Sequence, residues 1–319
     1  MALNPVPWAI DGGKITAADA RRIAYSATSG ETGITESNDF RVVASTPTGA
    51  SVLVYAGAGI IRSNYASSSK SQSYCVSADT GTTVSVAPTA GSARTDYLII
   101  KVTDPQYGGQ APADLVNGPY VTYALVPTIT GLTYPFLALA KITQPANNGS
   151  ITQAMITPLR EMSNPRRKRD LNTLNLSATE TQTVTTAGGE QWPNAAAWTV
   201  EIPYWATQVR VRADWAQVKA PAGNAVGNLW VQMGANGVPG VASTFQVGYN
   251  TPGSTNDSRQ TFTAADTLTI PTVMRGTVVY FNMRGKLTSA STNAARLVAD
   301  NFSAMVLDLE FLERPTEDD

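Results

Sequence analysis

Gln208–Trp215 reads QVRVRADW. Val209, Val211, Ala213 and Trp215 fall on one side of an extended chain, and Gln208, Arg210, Arg212 and Asp214 on the other, because successive strand side chains point to opposite faces. One face buried and one wetted is the mark of a strand in an antiparallel sheet. VLDLEF (Val306–Phe311) repeats the pattern, with Leu307, Leu309 and Phe311 set against Asp308 and Glu310. Between the two stretches lie Thr199–Ile202, Asn228–Met233, Arg259–Thr263, Thr267–Ile270 and Thr277–Met283, strand-like runs separated by loops rich in Gly, Pro and Asn. This spacing predicts an antiparallel β-sandwich of jelly-roll type in the C-terminal half.

The N-terminal half also reads as strands: Ser51–Tyr55, Thr82–Ala87, Tyr97–Val102, Val121–Val126 and Phe136–Thr143, with Ile151–Ile156 as a short strand or turn. One helix is predicted, with Thr16 as N-cap and a narrow stripe of Ala17, Ala20, Ile23 and Ala24 ending near Tyr25. The expected fold is therefore mainly β: an N-terminal β-rich module with one helix, then the sandwich. Arg94 and Asp96 precede an apolar strand, where an ion pair would fix the turn. The densest charge run follows Asn164-Pro165 and comprises Arg166, Arg167, Lys168 and Arg169. Taken as a basic linker over 163–175, it separates an N-terminal module at 1–162 from a C-terminal module at 176–319.

Composition narrows the chemistry. Among the 319 residues there is no histidine, so Ser-His-Asp triads, Cys-His dyads and histidine-ligated metals are excluded. Cys75 has no second cysteine to pair with, and its place in an apparent strand suggests a small buried hydrophobe. Charged residues make up 15% of the chain, against about 25% on average. A formal net charge of -1 offers no attraction to nucleic acid or an anionic membrane. Met1–Ile10 lacks a basic n-region, and no apolar run reaches about 18 residues. A chain made without a signal peptide, and without membrane insertion, is expected.

Five of the six tryptophans, Trp192, Trp198, Trp205, Trp215 and Trp230, lie in the C-terminal half. Aromatic rings stack on sugars and anchor protein interfaces. Trp215 and Trp230 sit within strand patterns and read as core, whereas Trp192 beside Gln191 and Pro193, and Trp205 after Pro203 and Tyr204, read as exposed. The candidate binding set is Trp192, Tyr204, Trp205 and Tyr249. Pro221–Asn228, Asn236–Val241 and Tyr249–Asp257 are the expected variable loops. Asn256 and Asp257, or Asp300 and Asn301, lack the alternation of an ion-binding loop, so neither metal nor cofactor is expected. Glu201 and Asp214 are the carboxylates that a polysaccharide-cleaving enzyme would need.

Five segments carry a resemblance in order. They are AADARRIAYSAT (Ala17–Thr28), ETGITESNDFRVVA (Glu31–Ala44), SVLVYAGAGIIRSNY (Ser51–Tyr65), RTDYLIIKVTDPQYGG (Arg94–Gly109) and YPFLALAKITQPANNGSITQAMITPLR (Tyr134–Arg160). Together they resemble the shared N-terminal domain of minor tail proteins from phages of actinobacteria. VEIPYWATQVRVRADWAQV (Val200–Val218) and VLDLEFLE (Val306–Glu313) look like the sandwich domains such proteins carry. The resemblance implies a non-enzymatic structural component of a virion tail, at the tip or in side fibres. It also implies self-association, commonly as trimers, contact with other tail proteins and, in some members, binding to host surface glycans. A head-decoration or head-fibre protein is the alternative, and a host-wall polysaccharide depolymerase a more distant one.

Overall fold

The computed structural model describes residues 11, 13, 15–67, 71–235, 238–251, 255–288 and 295–317, without the side chains of 235, 238 and 239. The chain divides into two compact units, Met1–Pro165 with Arg314–Asp319, and Arg166–Glu313. This corrects the sequence-based boundaries in two places. The C-terminal residues belong to the first unit, and most of the expected linker, Arg167–Asn175, is a nine-residue strand of the second. Arg167 and Arg169 lie on its wetted face, where Arg169 donates to both carboxylate oxygens of Asp308, at 2.8 and 2.6 Å. A charge run can thus be the outer side of an edge strand rather than a connector.

In the first unit, α1 (Ala17–Ala27) precedes three antiparallel sheets. One sheet joins β1 (Gly33–Ile34), β4 (Gly57–Arg62) and β5 (Ser73–Ala78), and another β2 (Val42–Ala44), β3 (Ser51–Val54) and β6 (Thr82–Ser85). The third contains β7 (Arg94–Val102), β8 (Val121–Val126), β9 (Phe136–Gln144) and β10 (Ile156–Pro158), in the order β10-β9-β7-β8. Ile34, Phe40, Val52, Leu98, Leu139 and Ile142 are among the side chains that form its core.

Thr16 does cap α1: its hydroxyl accepts from the Asp19 N–H, and the Asp19 carboxylate accepts from the Thr16 N–H. The alanine stripe does not pack, however, and Ala17, Ala20 and Ile23 are exposed. Arg21 docks the helix instead. It donates to Gln72 and Gln106 at 2.6 and 2.7 Å, and its guanidinium lies 5.4 and 5.3 Å from the ring centroids of Tyr74 and Tyr107. Cys75 is exposed rather than buried, because Val76 takes the inward position on β5. Arg94 and Asp96 form the expected ion pair at 2.7 Å.

Two buried arginines hold the C-terminal residues in this unit. Arg160 donates to the carbonyls of Ser37 (3.2 Å), Asp39 (2.8 Å) and Thr316 (2.7 Å), and pairs with the Glu317 carboxylate. Arg41, its guanidinium 4.6 Å from the Tyr55 ring centroid, donates to the Glu317 carbonyl at 3.2 Å.

The second unit is a jelly roll. One sheet has the order β11 (Arg167–Asn175), β22 (Ala304–Leu312), β15 (Gln208–Ala220), β19 (Ser258–Thr269). The other runs from β14 (Ala197–Glu201) through β20 (Val278–Leu287) to β16 (Val226–Ala235), which pairs with both β17 (Val238–Ala242) and β18 (Val247–Asn250). Short β12 (Gln182–Thr183), β13 (Glu190–Gln191) and β21 (Val298–Ala299) extend them. If β17 and β18 count as one interrupted strand, the orders are first-eighth-third-sixth and second-seventh-fourth-fifth, the double Greek key predicted from the alternation. Val209, Val211, Ala213 and Trp215 point inward, as do Leu307, Leu309 and Phe311. Arg259–Thr263 and Thr267–Ile270 merge into β19, with its register shifted by a bulge in β15 between Trp215 and Val218.

Replacing Arg160 with Met should strand several carbonyl acceptors and cost about 2 kcal/mol. Urea unfolding would measure the loss, and carboxypeptidase should release the C-terminal residues faster than from the parent chain.

Candidate functional site

The structure separates the four residues of the candidate binding set. Trp192 is core, not surface: its Nε1–H donates to the Gln182 carbonyl, while its own carbonyl accepts from the Trp215 indole, both at 3.2 Å. A polar sequence neighbourhood hid a ring that packs in the core of the sandwich. Tyr249 is likewise buried, its hydroxyl donating to the Lys286 carbonyl at 3.0 Å. Burial, with the Glu190 charge adding, pushes its phenol up to about 12. A Cβ on Gly227 would lie 2.3 Å from that hydroxyl, so only glycine admits the ring.

Tyr204 and Trp205 do come together. Tyr204 is 71% exposed and Trp205 half-buried. Between them lies the Arg166 guanidinium, 5.5 and 5.6 Å from their ring centroids, donating to the Tyr204 hydroxyl at 3.1 Å. Buried Glu313 holds Arg166 through its side chain and through the backbone N–H. The result is a fixed cation between two rings at the start of β11.

A second aromatic face lies on the outside of the β14-β20-β16 sheet. Along β20, Val279, Phe281 and Met283 point inward, so Val278, Tyr280, Asn282, Arg284 and Lys286 point out. Tyr280 is 52% exposed, between Thr199 on β14 and Gly234 on β16, with Asn282 and Gln232 directly opposite one another beside it. Small neighbours leave the ring open, and the two amides offer both donors and acceptors. Trp230 belongs to this outer face too, since Leu229 and Val231 fill the core positions on either side. It is buried there by Gly189, at φ +89°, with Arg284 and Lys286 each 5.8 Å from its ring. The one sequence signal for this face is Tyr280 at an outward position of VVYFNMRGKL.

The opposite outer face is polar. Arg169, Arg210, Arg212, Asp266, Asp308 and Glu310 line a shallow depression of 590 Å³, where Arg210 meets Glu310 at 3.2 Å and Arg169 meets Asp308. Glu201 and Asp214 stand on the outer faces of opposite sheets, and Asp214 is engaged by Thr263 and Arg212. That separation does not let them flank one glycosidic bond.

Of the expected loops, Pro221–Asn228 runs into β16, and β17 occupies Val238–Ala242. Residues 236–237 and 252–254 of the other two loops lie outside the described residues. Asp257 pairs with Lys219, and Asp300 with Arg259. Among the described residues no group of three or more Cys, Asp or Glu is arranged to hold a metal, and no helix is long and apolar enough to cross a membrane. Asp266 fixes the turn at Ser243–Phe245, accepting from Ser243 Oγ, the Thr244 N–H and the Phe245 N–H at 2.8, 2.8 and 3.0 Å. Burial alone would raise this carboxyl, but the hydrogen bonds hold it down at about 2.

No protein-family model matches the sequence, and no curated protein matches it. Among solved structures, the chain is similar to one from infectious bursal disease virus, Gx strain, at 11% identity over 90% of this chain and 73% of that one, with a TM-score of 0.24. A VP2 subviral particle of the same virus gives 10% identity, coverage of 92% and 82%, and a TM-score of 0.23. Isomalto-dextranase of Arthrobacter globiformis T6, complexed with panose, gives 10%, coverage of 89% and 38%, and 0.22. Likeness at this level assigns neither a shared fold nor a shared role.

Trp192→Ala should cost about 3–5 kcal/mol in chemical unfolding, whereas Tyr204→Ala should cost under about 1 kcal/mol. Equal losses would contradict the placement of these two rings. Because the Asp266 carboxyl is depressed on folding, its contribution to stability is complete above the ordinary value of 3.8 and disappears as pH falls toward about 2. Asp266→Asn should flatten the pH dependence of stability in that window.

Proposed function

We propose that the chain is a structural component of a phage virion tail, a minor tail, tail-tip or side-fibre protein that acts by assembly and surface contact rather than catalysis. The observation that carries this reading is the ordered series of five N-terminal segments, which runs through a single compact unit from α1 to β10. In this proposal the first unit attaches to other tail proteins. The jelly roll would then present the uncharged patch of Tyr280, Asn282 and Gln232 on its outer face, and the Tyr204–Arg166–Trp205 cluster, for self-association or contact with the host surface. Amides and aromatic rings suit such contact because they bind without the desolvation cost of unpaired ions. Localisation in the virion tail follows from the same reading.

Mass spectrometry of purified virions should detect the chain, and immunogold labelling with antibody against it should mark the tail. Absence from virions would overturn the proposal. Label confined to the capsid would transfer it to a head-decoration or head-fibre role.

A further inference from the structure

β11 is an open edge of the sandwich. All nine of its residues pair with β22, from Arg167 opposite Leu312 to Asn175 opposite Ala304, without a bulge, and no other strand among the described residues pairs with it. The Glu313 N–H donates to the Arg166 carbonyl at 3.2 Å, so by alternation the even-numbered residues of β11 bond to β22. The N–H and C=O groups of residues 167, 169, 171, 173 and 175 therefore point away from the sheet. At the other edge of this sheet, Asp266 on β19 holds the turn at Ser243–Phe245.

We propose that β11 is the contact with a second copy of this chain, the two edge strands pairing antiparallel about a two-fold axis at Leu171. The side chains select both occupant and register. Centring on Leu171 sets the outward groups of five residues opposite those of five residues of the second copy, for about ten backbone hydrogen bonds. On the outer face Leu171, 59% exposed, meets its own equivalent, while Arg167 and Arg169 face Asn175 and Thr173. Centring on Arg169 or Asp170 instead would oppose like charges.

On the inner face, Asn172 carries a buried amide nitrogen without a hydrogen-bond partner. The Asp170 carboxylate, on the same face, is also unengaged among the described residues. In the Leu171-centred register each Asn172 lies directly opposite Asp170 of the second copy, in a non-hydrogen-bonded pair where side chains come closest. Rotation of the Asn172 amide toward the open edge would bring it to the Asp170 carboxylate of the second copy, giving both groups a partner at each of the two symmetric positions. Such a contact is isologous and yields dimers, or pairs of any larger ring that the chain also forms.

The test uses the full chain with Cys75→Ser, so that the exposed native thiol does not interfere. Leu171→Cys should form a disulfide-linked dimer on mild oxidation, because paired residues at the two-fold lie within bridging distance. Arg167→Cys should not, since its opposite residue is Asn175. Light scattering of the parent chain should give an even multiple of 33.7 kDa. Leu171→Pro removes only an outward N–H and should weaken association at least tenfold while leaving the far-ultraviolet circular dichroism unchanged.

A monomer, an odd-numbered assembly without the Leu171→Cys cross-link, or equal cross-linking through Arg167→Cys would overturn the contact. So would pairing that appears only when another virion protein is added, which would give the edge to a foreign strand. None of these outcomes bears on immunogold labelling of the tail, so this contact and the proposed function fail independently.

Discussion

The indole of Trp215 donates to the Trp192 carbonyl, and the indole of Trp192 to the Gln182 carbonyl. Each of these buried N–H groups would cost about 1–3 kcal/mol if left without an acceptor. Gln182 lies in β12, which pairs with β21, and Trp192 follows β13, which pairs with β20. The chain from β12 to β13 must therefore close over the sandwich in the one way that delivers both carbonyls. Burial of Trp215, Phe281 and Phe311 supplies the apolar area, and the indole relay makes the arrangement specific. The same path lays Gly189 over Trp230, so the inner core and the outer aromatic face depend on one stretch of backbone.

In the first unit, arginines hold what apolar packing does not. Arg21 fixes a helix with no fully buried residue, while Arg160 and Arg41 fix the C-terminal residues by binding backbone carbonyls. A guanidinium suits this work because its five donors form a rigid fork and it never loses its charge at ordinary pH. On the jelly roll, Arg169, Arg210 and Arg212 stand beside Asp308, Glu310 and Asp214, exposed pairs that add little stability yet keep that face electrostatically quiet.

The jelly roll was legible because strict two-residue alternation survives wherever one face is buried and the other wetted, as in Gln208–Trp215 and Val306–Phe311. β11 escaped because the inner side of an edge strand is only partly covered, leaving polar residues at nearly every position of Arg167–Asn175. β4 was also missed, and β5 was read only as an apparent strand around Cys75: Gly57, Gly59, Ser73 and Ser77 blur the pattern, although Ile61 and Val76 are core. The helix was found through its cap, but its packing side was misread because Arg21 anchors through hydrogen bonds that apolar periodicity does not register.

Of the aromatic residues singled out, Tyr204 and Trp205 lie around one arginine, while Trp192 and Tyr249 are buried and Tyr280 was overlooked. By itself the sequence determined the class of fold, the jelly-roll half, the capped helix and the exclusion of histidine chemistry, since these follow from residue types and short-range periodicity. Only the tertiary structure decided which aromatic rings face outward, where the C-terminal residues bind and which strands lie at the edges of the sheets. Those depend on partners far apart in sequence, such as a carbonyl for an indole, a glycine beneath a phenol and a carboxylate across the sheet, and local pattern carries no record of them.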